Sequence, residues 1–384
     1  MEGATSVKAK AVFDIEKLAP ANVRGIAPYV PGKPIAETAR ELGIPEAQIL
    51  KMASNENPLG ASPKALAAIR GALDELHYYP DGGGFELKRV LSRKLGVAPR
   101  NIVLGNGSND VLELVARAFL RPGDAAVYSQ HAFMVYPLVI QAIGAKGIEV
   151  PAKDFATDLD AIARAVTGDT RMVFVANPNN PTGTFNPWAD IERFVAGVRG
   201  NVLVVLDEAY GEYLPDALKS PTQGWLERHP NLVVSRTLSK AFGLAGLRVG
   251  YGLADPRVAE VMDRVRQPFN VNHLAMVAAC AALDDDDFIR RSREVNAAGL
   301  EQLGAGFERL GLEYIPSFGN FITVRVGPEA ARVYREMLAE GVIVRPIAGY
   351  GMPEHLRVTV GLPEHNGRFL AAPERALARP RPAA

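Results

Sequence analysis

The chain has 384 residues, 48% apolar and 22% charged, enough for one large or two unequal domains with a real core. Its 43 Lys and Arg balance 43 Asp and Glu, so no net basic field exists to hold nucleic acid or an anionic membrane. The single cysteine, Cys280, excludes an internal disulfide and a cysteine-built zinc cage, and no metal site is expected.

The opening residues, MEGATSVKAKAVFDIEKLAP, carry scattered acids and no apolar h-region, so no secretory signal is expected and the compartment is cytoplasmic by default. Residues 1–50 are punctuated by Pro20, Pro28, Pro31, Pro34 and Pro45, which predicts an extended arm with one short helix near 35–42, folding back toward a smaller domain. Residues 51–290 alternate short apolar runs with amphipathic stretches: IVL (102–104), AAVY (125–128), MVFVA (172–176), VLVVL (202–206) and NLVVS (231–235). Such runs predict an α/β domain whose mostly parallel sheet is covered on both faces. The apolar run from Leu274 to Leu283 is well short of the roughly 20 residues a membrane span needs. Cys280 within it reads as a small buried side chain. Residues 291–384 change character, with FITVRV (321–326), VIVRPI (342–347) and LRVTVG (356–361) around helices, and predict a smaller α+β domain.

Four of the apolar runs lead directly into polar clusters: Gly105 to Asp110, Asn177 to Gly183, Asp207 to Tyr210, and Arg236 to Lys240. Ligands of parallel α/β sheets sit at the carboxyl ends of the strands, so the four clusters should converge on one sheet edge.

Each cluster has its own chemistry. Asp207 ends a buried strand, where an unpaired carboxylate is costly and a protonated ring nitrogen is a fitting partner; a helix cap or a structural salt bridge would also account for it. Tyr210, three residues on, is placed to donate to a phenolic oxygen, although a core tyrosine would look the same. Asn179-Asn180-Pro181-Thr182-Gly183 is turn-making, yet a turn does not require two asparagines, whose amides suit a ring oxygen. Lys240 has Thr237, Ser239 and Arg248 near it. A lysine crowded by cations in a desolvated site has a lowered pKa and becomes a carbonyl nucleophile, and two hydroxyls with an arginine make a phosphate cradle. Gly243 and Gly246 allow close backbone approach. The amides of Ser108 and Asn109 open a helix, VLELVARAF, that can hold a phosphate; the Gly-x-Gly before them lacks the third glycine of a dinucleotide fingerprint.

Lys240 in SRTLSKAFGLAGLRVG, together with ANPNNPTGT, VLDEAY and ASNENPLG, resembles the fold-type-I pyridoxal-phosphate aminotransferases, over roughly residues 25–370. The similarity is greatest to those acting on histidinol phosphate. The resemblance implies that Lys240 carries pyridoxal 5′-phosphate as a Schiff base and shuttles the proton, and that Asp207 keeps the ring nitrogen protonated. It implies that Tyr210 and Asn180 bond the ring oxygen and that Phe133 stacks on the ring. Thr237, Ser239, Arg248, Ser108 and Asn109 would hold the phosphate. It further implies a homodimer in which Tyr79 reaches the neighbouring subunit's cofactor, with Tyr29, Arg345 and Arg357 binding substrate anions. The tail AAPERALARPRPAA has three prolines where that family ends in a helix, so a truncated last helix is expected.

The implied reaction exchanges an amino group between histidinol phosphate/imidazole acetol phosphate and glutamate/2-oxoglutarate, in histidine biosynthesis; an aromatic amino-acid aminotransferase is the alternative. A decarboxylase or lyase fits less well, because Arg357 suits a carboxylate that stays. A non-catalytic regulator would need a DNA-binding segment, which residues 1–30 do not supply, and a nicotinamide dehydrogenase lacks its glycine fingerprint.

Overall fold

The computed structural model describes residues 13–29 and 32–378. Strand β1 (Leu50–Lys51) lies ahead of a seven-stranded sheet built from β2 (Ile102–Gly105), β3 (Ala125–Ser129), β4 (Lys146–Val150), β5 (Thr170–Ala176), β6 (Leu203–Asp207), β7 (Leu232–Thr237) and β8 (Gly250–Ala254). Their order is β2-β8-β7-β6-β5-β3-β4. The pairings among β3, β4, β5, β6 and β7 are parallel, and β8 is antiparallel to both β7 and β2. Strand β2 therefore runs with β5, β6 and β7, and all four carboxyl ends share one edge, as the sequence predicts.

The sheet is buried on both faces. Val204 and Leu206 of β6 enter one apolar cluster with Leu232, Val234 and Val173, while Val205 enters the opposite one with Val233 and Phe174. This alternation within a continuous apolar run is what helices on both faces require.

Two strands escape the sequence reading. Strand β4 is an edge strand with exposed Lys146 and three of its five residues polar or glycine, so its apolar signal is weak. Strand β8 begins Gly-Tyr-Gly because the sheet has no room there: a Cβ at Gly250 would stand 2.6 Å from the Ser108 amide nitrogen, and one at Gly252 2.9 Å from Val111.

The second region has a four-stranded antiparallel sheet in the order β12-β13-β10-β9, from β9 (Tyr314–Ile315), β10 (Phe321–Arg325), β12 (Arg345–Pro346) and β13 (His355–Thr359). The run VIVRPI splits between two sheets, since β11 (Val342–Ile343) pairs in parallel with β1. Helix Ile35–Leu42 forms where predicted, and its Ala39 packs with Ile49, Ala53 and Ile343. The arm before it is less extended than expected, with single-turn helices at Ile15–Leu18 and Ala21–Arg24.

The last helix corrects an expectation. It runs Pro363–Ala378 straight through Pro373, with Phe369, Leu370, Ala372 and Ala376 buried in one cluster with Leu303, Phe307 and Val360. That apolar anchoring outweighs the one backbone bond a proline forfeits. Pro380 and Pro382 lie outside the described residues. Among the described residues, no helix is long and apolar enough to cross a membrane.

Candidate active site

The shared strand edge opens onto a cavity of about 290 Å³ that brings together Tyr29, Glu56, Ser108, Asn109, Phe133, Tyr136, Asn180, Asp207, Tyr210, Thr237, Ser239, Lys240, Arg248, Arg345 and Arg357. Of the residues that the resemblance assigns to cofactor or substrate, Tyr79 alone does not line it.

Asp207 closes β6 and is 5% exposed. Its Oδ2 accepts from the Tyr136 hydroxyl at 2.9 Å and its Oδ1 from the Ala209 amide at 3.2 Å. Burial pushes its pKa up to about 6 despite those two donors. The carboxylate thus lacks a cationic partner strong enough to offset desolvation. Tyr136 was not anticipated: it lies inside an apolar helix, VYPLVIQAI, where it reads as core, and it does stack on Phe174 with centroids 4.9 Å apart. Phe133 meets Tyr136 edge-on at 6.0 Å and lines the cavity.

Lys240 stands three residues beyond β7, with its amine donating to the Ser54 carbonyl at 3.2 Å. Burial first, then the Arg357 and Arg248 cations, lower its pKa to about 8, against the pull of Glu56 and Asp207. An amine so shifted is far more often neutral near physiological pH than an exposed lysine. Gly243, at φ +70, lets this loop close: a Cβ there would meet the Gly60 carbonyl oxygen at 2.0 Å. Gly246, by contrast, has open space around it and serves no close approach.

Helix Ser108–Phe119 begins at Gly107, which provides no side-chain cap, so the dipole and the Ser108 and Asn109 amides face the cavity. Arg248 adopts a left-handed φ of +56 and turns its guanidinium onto this end, where a Cβ at Gly107 would sit 2.5 Å from Nη2. Its Nη1 donates to the Ser239 hydroxyl at 3.3 Å. With Thr237 buried beside them, these groups form a cradle for a small dianion.

Tyr210 is held by Asn55, whose Nδ2 donates to its hydroxyl at 2.8 Å, and burial raises its pKa to about 12. Asn55 is a second residue that sequence reasoning left without a role. It occupies the left-handed region at φ +56, which asparagine tolerates, and its amide, carbonyl and side chain bind Thr359, Asn320 and Tyr210. Of the two asparagines in the turn, only Asn180 faces the cavity. Asn179 binds the His131 carbonyl and Thr182, which makes it part of the turn itself.

Arg357, on β13, is buried, donating through Nη1 to Asn180 Oδ1 at 2.5 Å and through Nη2 to the Ala53 carbonyl at 2.8 Å. Among the described residues its Nε has no partner. A buried guanidinium with a donor to spare is suited to an anion. Arg345 lies over the Tyr29 ring, 5.3 Å from its centroid, at the outer mouth. Tyr79 is 83% exposed, stacked on Phe269 at 4.8 Å.

The arrangement suits an aromatic, phosphorylated aldehyde. The cradle takes the phosphate, Phe133 takes a ring face, Asp207 awaits a ring N–H⁺, and Lys240 offers an amine more easily deprotonated than an exposed lysine's. Together the sheet and this site define a pyridoxal-phosphate enzyme that handles amino groups.

The chain belongs to the class I and II aminotransferases, whose family model matches residues 47–372. Pyridoxal 5′-phosphate is the cofactor of that family. Among its relatives, histidinol-phosphate aminotransferase 2 of Nitrosospira multiformis is 58% identical over 358 residues, covering 93% of this chain and 91% of the relative. Histidinol-phosphate aminotransferase 2 of Pseudomonas aeruginosa is 59% identical over 370 residues, covering 95% and 99%. The crystal structure of histidinol-phosphate aminotransferase from Sinorhizobium meliloti in complex with pyridoxal-5′-phosphate superposes with a TM-score of 0.85 at 28% identity, covering 93% of this chain and 98% of that one. Aspartate aminotransferase from Thermus thermophilus with maleate shares the fold, with a TM-score of 0.81 at 22% identity.

Proposed function

We propose that this chain transfers an amino group between histidinol phosphate/imidazole acetol phosphate and glutamate/2-oxoglutarate, working as a cytoplasmic homodimer in histidine biosynthesis. The observation that carries the reading is one cavity holding Lys240, Asp207 and Arg357 within a chain that matches histidinol-phosphate aminotransferases over nearly its whole length.

When bound, pyridoxal phosphate supplies an electron sink for the substrate's Cα–H bond. In this reading Asp207, braced by Tyr136, fixes the charge of the ring nitrogen. Tyr210 and Asn180 hold the ring oxygen and Phe133 covers one face. Thr237, Ser239, Arg248 and the amides of Ser108 and Asn109 hold the phosphate. The Lys240 amine binds the cofactor covalently and afterwards moves the proton at Cα. Arg357 and Tyr29 anchor the anion that both substrates share in place, the phosphate or the α-carboxylate, and Arg345 takes the second carboxylate of glutamate.

Exposed Leu73, Leu76, Tyr78, Tyr79, Phe85 and Phe269 support a subunit interface, since several large apolar side chains on neighbouring turns are costly in water. Tyr79 would enter the second subunit's site from that face. A division of the chain into 1–50, 51–290 and 291–384 is supported by separate apolar clusters, one of which joins Leu50 to residues 303–376 and takes in Met52 from just beyond the first boundary.

Half-reactions test the whole reading. Histidinol phosphate and glutamate should each convert the pyridoxal form to the pyridoxamine form, seen as an absorbance change, well ahead of phenylalanine. Borohydride should fix the cofactor on the peptide carrying Lys240. Faster conversion by phenylalanine than by histidinol phosphate would defeat the substrate assignment.

A further inference from the structure

Two acids line the cavity, Asp207 and Glu56. Asp207 is buried and takes donors from Tyr136 and Ala209. Glu56 lies nearer the mouth, with its side chain 48% exposed. Lys51 donates to its Oε1 at 2.8 Å, and among the described residues Oε2 accepts nothing. Glu56 lines the same cavity as Lys240, Arg345 and Arg357.

The remaining charged side chains of the cavity are cations: Lys240, Arg248, Arg345 and Arg357. Both substrates of the proposed reaction bring an anion to Arg357, and they differ beyond it. Glutamate ends in a second carboxylate, which Arg345 attracts and Glu56 repels. The phosphorylated amino alcohol ends in an imidazole, whose N–H needs an acceptor. Arginines cannot accept, and the Tyr29 hydroxyl is assigned to the phosphate.

We infer that Glu56 is the specificity residue that accepts the imidazole N–H, pairing with Arg345 so that one wall serves each of two unlike substrates. This rests on the substrate assignment above. The contact is strongest to imidazolium, where the bond is charge-assisted, and has no counterpart for phenylalanine.

The pyridoxamine form of the holoenzyme cannot accept a second amino group, so histidinol phosphate, phenylalanine and glutamate can be titrated into it calorimetrically without turnover. Glu56→Gln should weaken histidinol phosphate by about tenfold, leave phenylalanine within about twofold and bind glutamate no more weakly than the wild type does. The ratio of variant to wild-type Kd for histidinol phosphate should grow between about pH 8 and about pH 6, as the imidazole protonates. Lys51→Met breaks the ion pair but keeps the carboxylate, and should leave all three affinities within about twofold. Equal losses on all three ligands in Glu56→Gln, a pH-independent ratio, or a Lys51→Met variant that copies the loss would overturn the inference. If the wild-type pyridoxal form is not converted by histidinol phosphate, the substrate assignment falls and takes this with it. If it is converted, yet Glu56→Gln binds all three as wild type does, the role of Glu56 alone is refuted.

Discussion

The inner and outer walls of the cavity are built differently. The inner wall consists of strands and the loops directly following them: Asp207 at the end of β6, Thr237 at the end of β7, Lys240 just beyond it and Arg357 within β13. Its polar atoms are buried and mostly paired, through Tyr136, Asn55, Ala53 and Asn180. The outer wall is drawn from the arm, surface loops and a two-residue strand, and Tyr29 and Glu56 on it are about half exposed. A centre that performs one chemistry on every substrate is fixed by the backbone, where positions vary least. A rim that must admit two substrates is made of long side chains in contact with water, where adjustment costs little.

The sharpest break in this contrast is Asp207→Asn. An amide cannot hold the ring nitrogen protonated, so turnover should fall by about a thousandfold or more while the fold and cofactor binding survive. Stopped-flow half-reactions beside a thermal melt separate the two; a variant within a few-fold of wild type would make the inner carboxylate merely structural. The next largest effect concerns a residue outside both walls. If Tyr79 completes the partner's site, an inactive Lys240→Ala chain mixed with an inactive Tyr79 variant should recover about a quarter of wild-type activity by random assortment of a twofold dimer. No recovery after proven subunit exchange would leave Tyr79 acting within its own chain or not at all.

The same contrast explains what the sequence disclosed. The strands β2, β5, β6 and β7 announce themselves by unbroken apolar runs, and the residues placed at their ends lie in the cavity. Tyr136 and Asn55 stayed hidden because their roles depend on contacts 71 and 155 residues away along the chain. No local period marks a tyrosine in an apolar helix as a carboxylate's donor. Gly250 and Gly252 weakened the apolar signal of β8, although their lack of a side chain is what lets the phosphate-cradle helix approach. The helix through Pro373 was misread because local propensity was weighed without the apolar face that holds it in place.

Lys240 gives the inner wall a pH signature. Burial and neighbouring cations lower its pKa from 10.5 to about 8, so the fold disfavours the ammonium relative to an exposed lysine. In cofactor-free protein, the rate at which this amine captures pyridoxal phosphate should rise about tenfold per pH unit below that value and level off above it. Capture followed from about pH 6 to about pH 9.5 should therefore bend near 8. A rate still climbing tenfold per unit at pH 9.5 would mean an unshifted lysine, and with it an inner wall that is wetter than its hydrogen bonds indicate.

The smallest effect expected is on the outer wall, in Tyr29→Phe. The Tyr29 ring lies beneath Arg345, and its hydroxyl is the one feature the change removes. A hydrogen bond from that hydroxyl to a charged phosphate contributes roughly 1.5–3 kcal/mol, and the lower figure suits a half-exposed group. Histidinol phosphate should therefore bind about tenfold more weakly. Phenylalanine offers nothing to a hydroxyl and should be unchanged. Glutamate should lose less than histidinol phosphate, because a carboxylate carries one charge where the phosphate carries nearly two. Steady-state KM values for the three substrates rank these losses directly. Equal losses on all three would mean that Tyr29 shapes the mouth through its ring and its stacking under Arg345 rather than by holding a phosphate. The two substrates would then be told apart on the other side of the mouth, by Glu56.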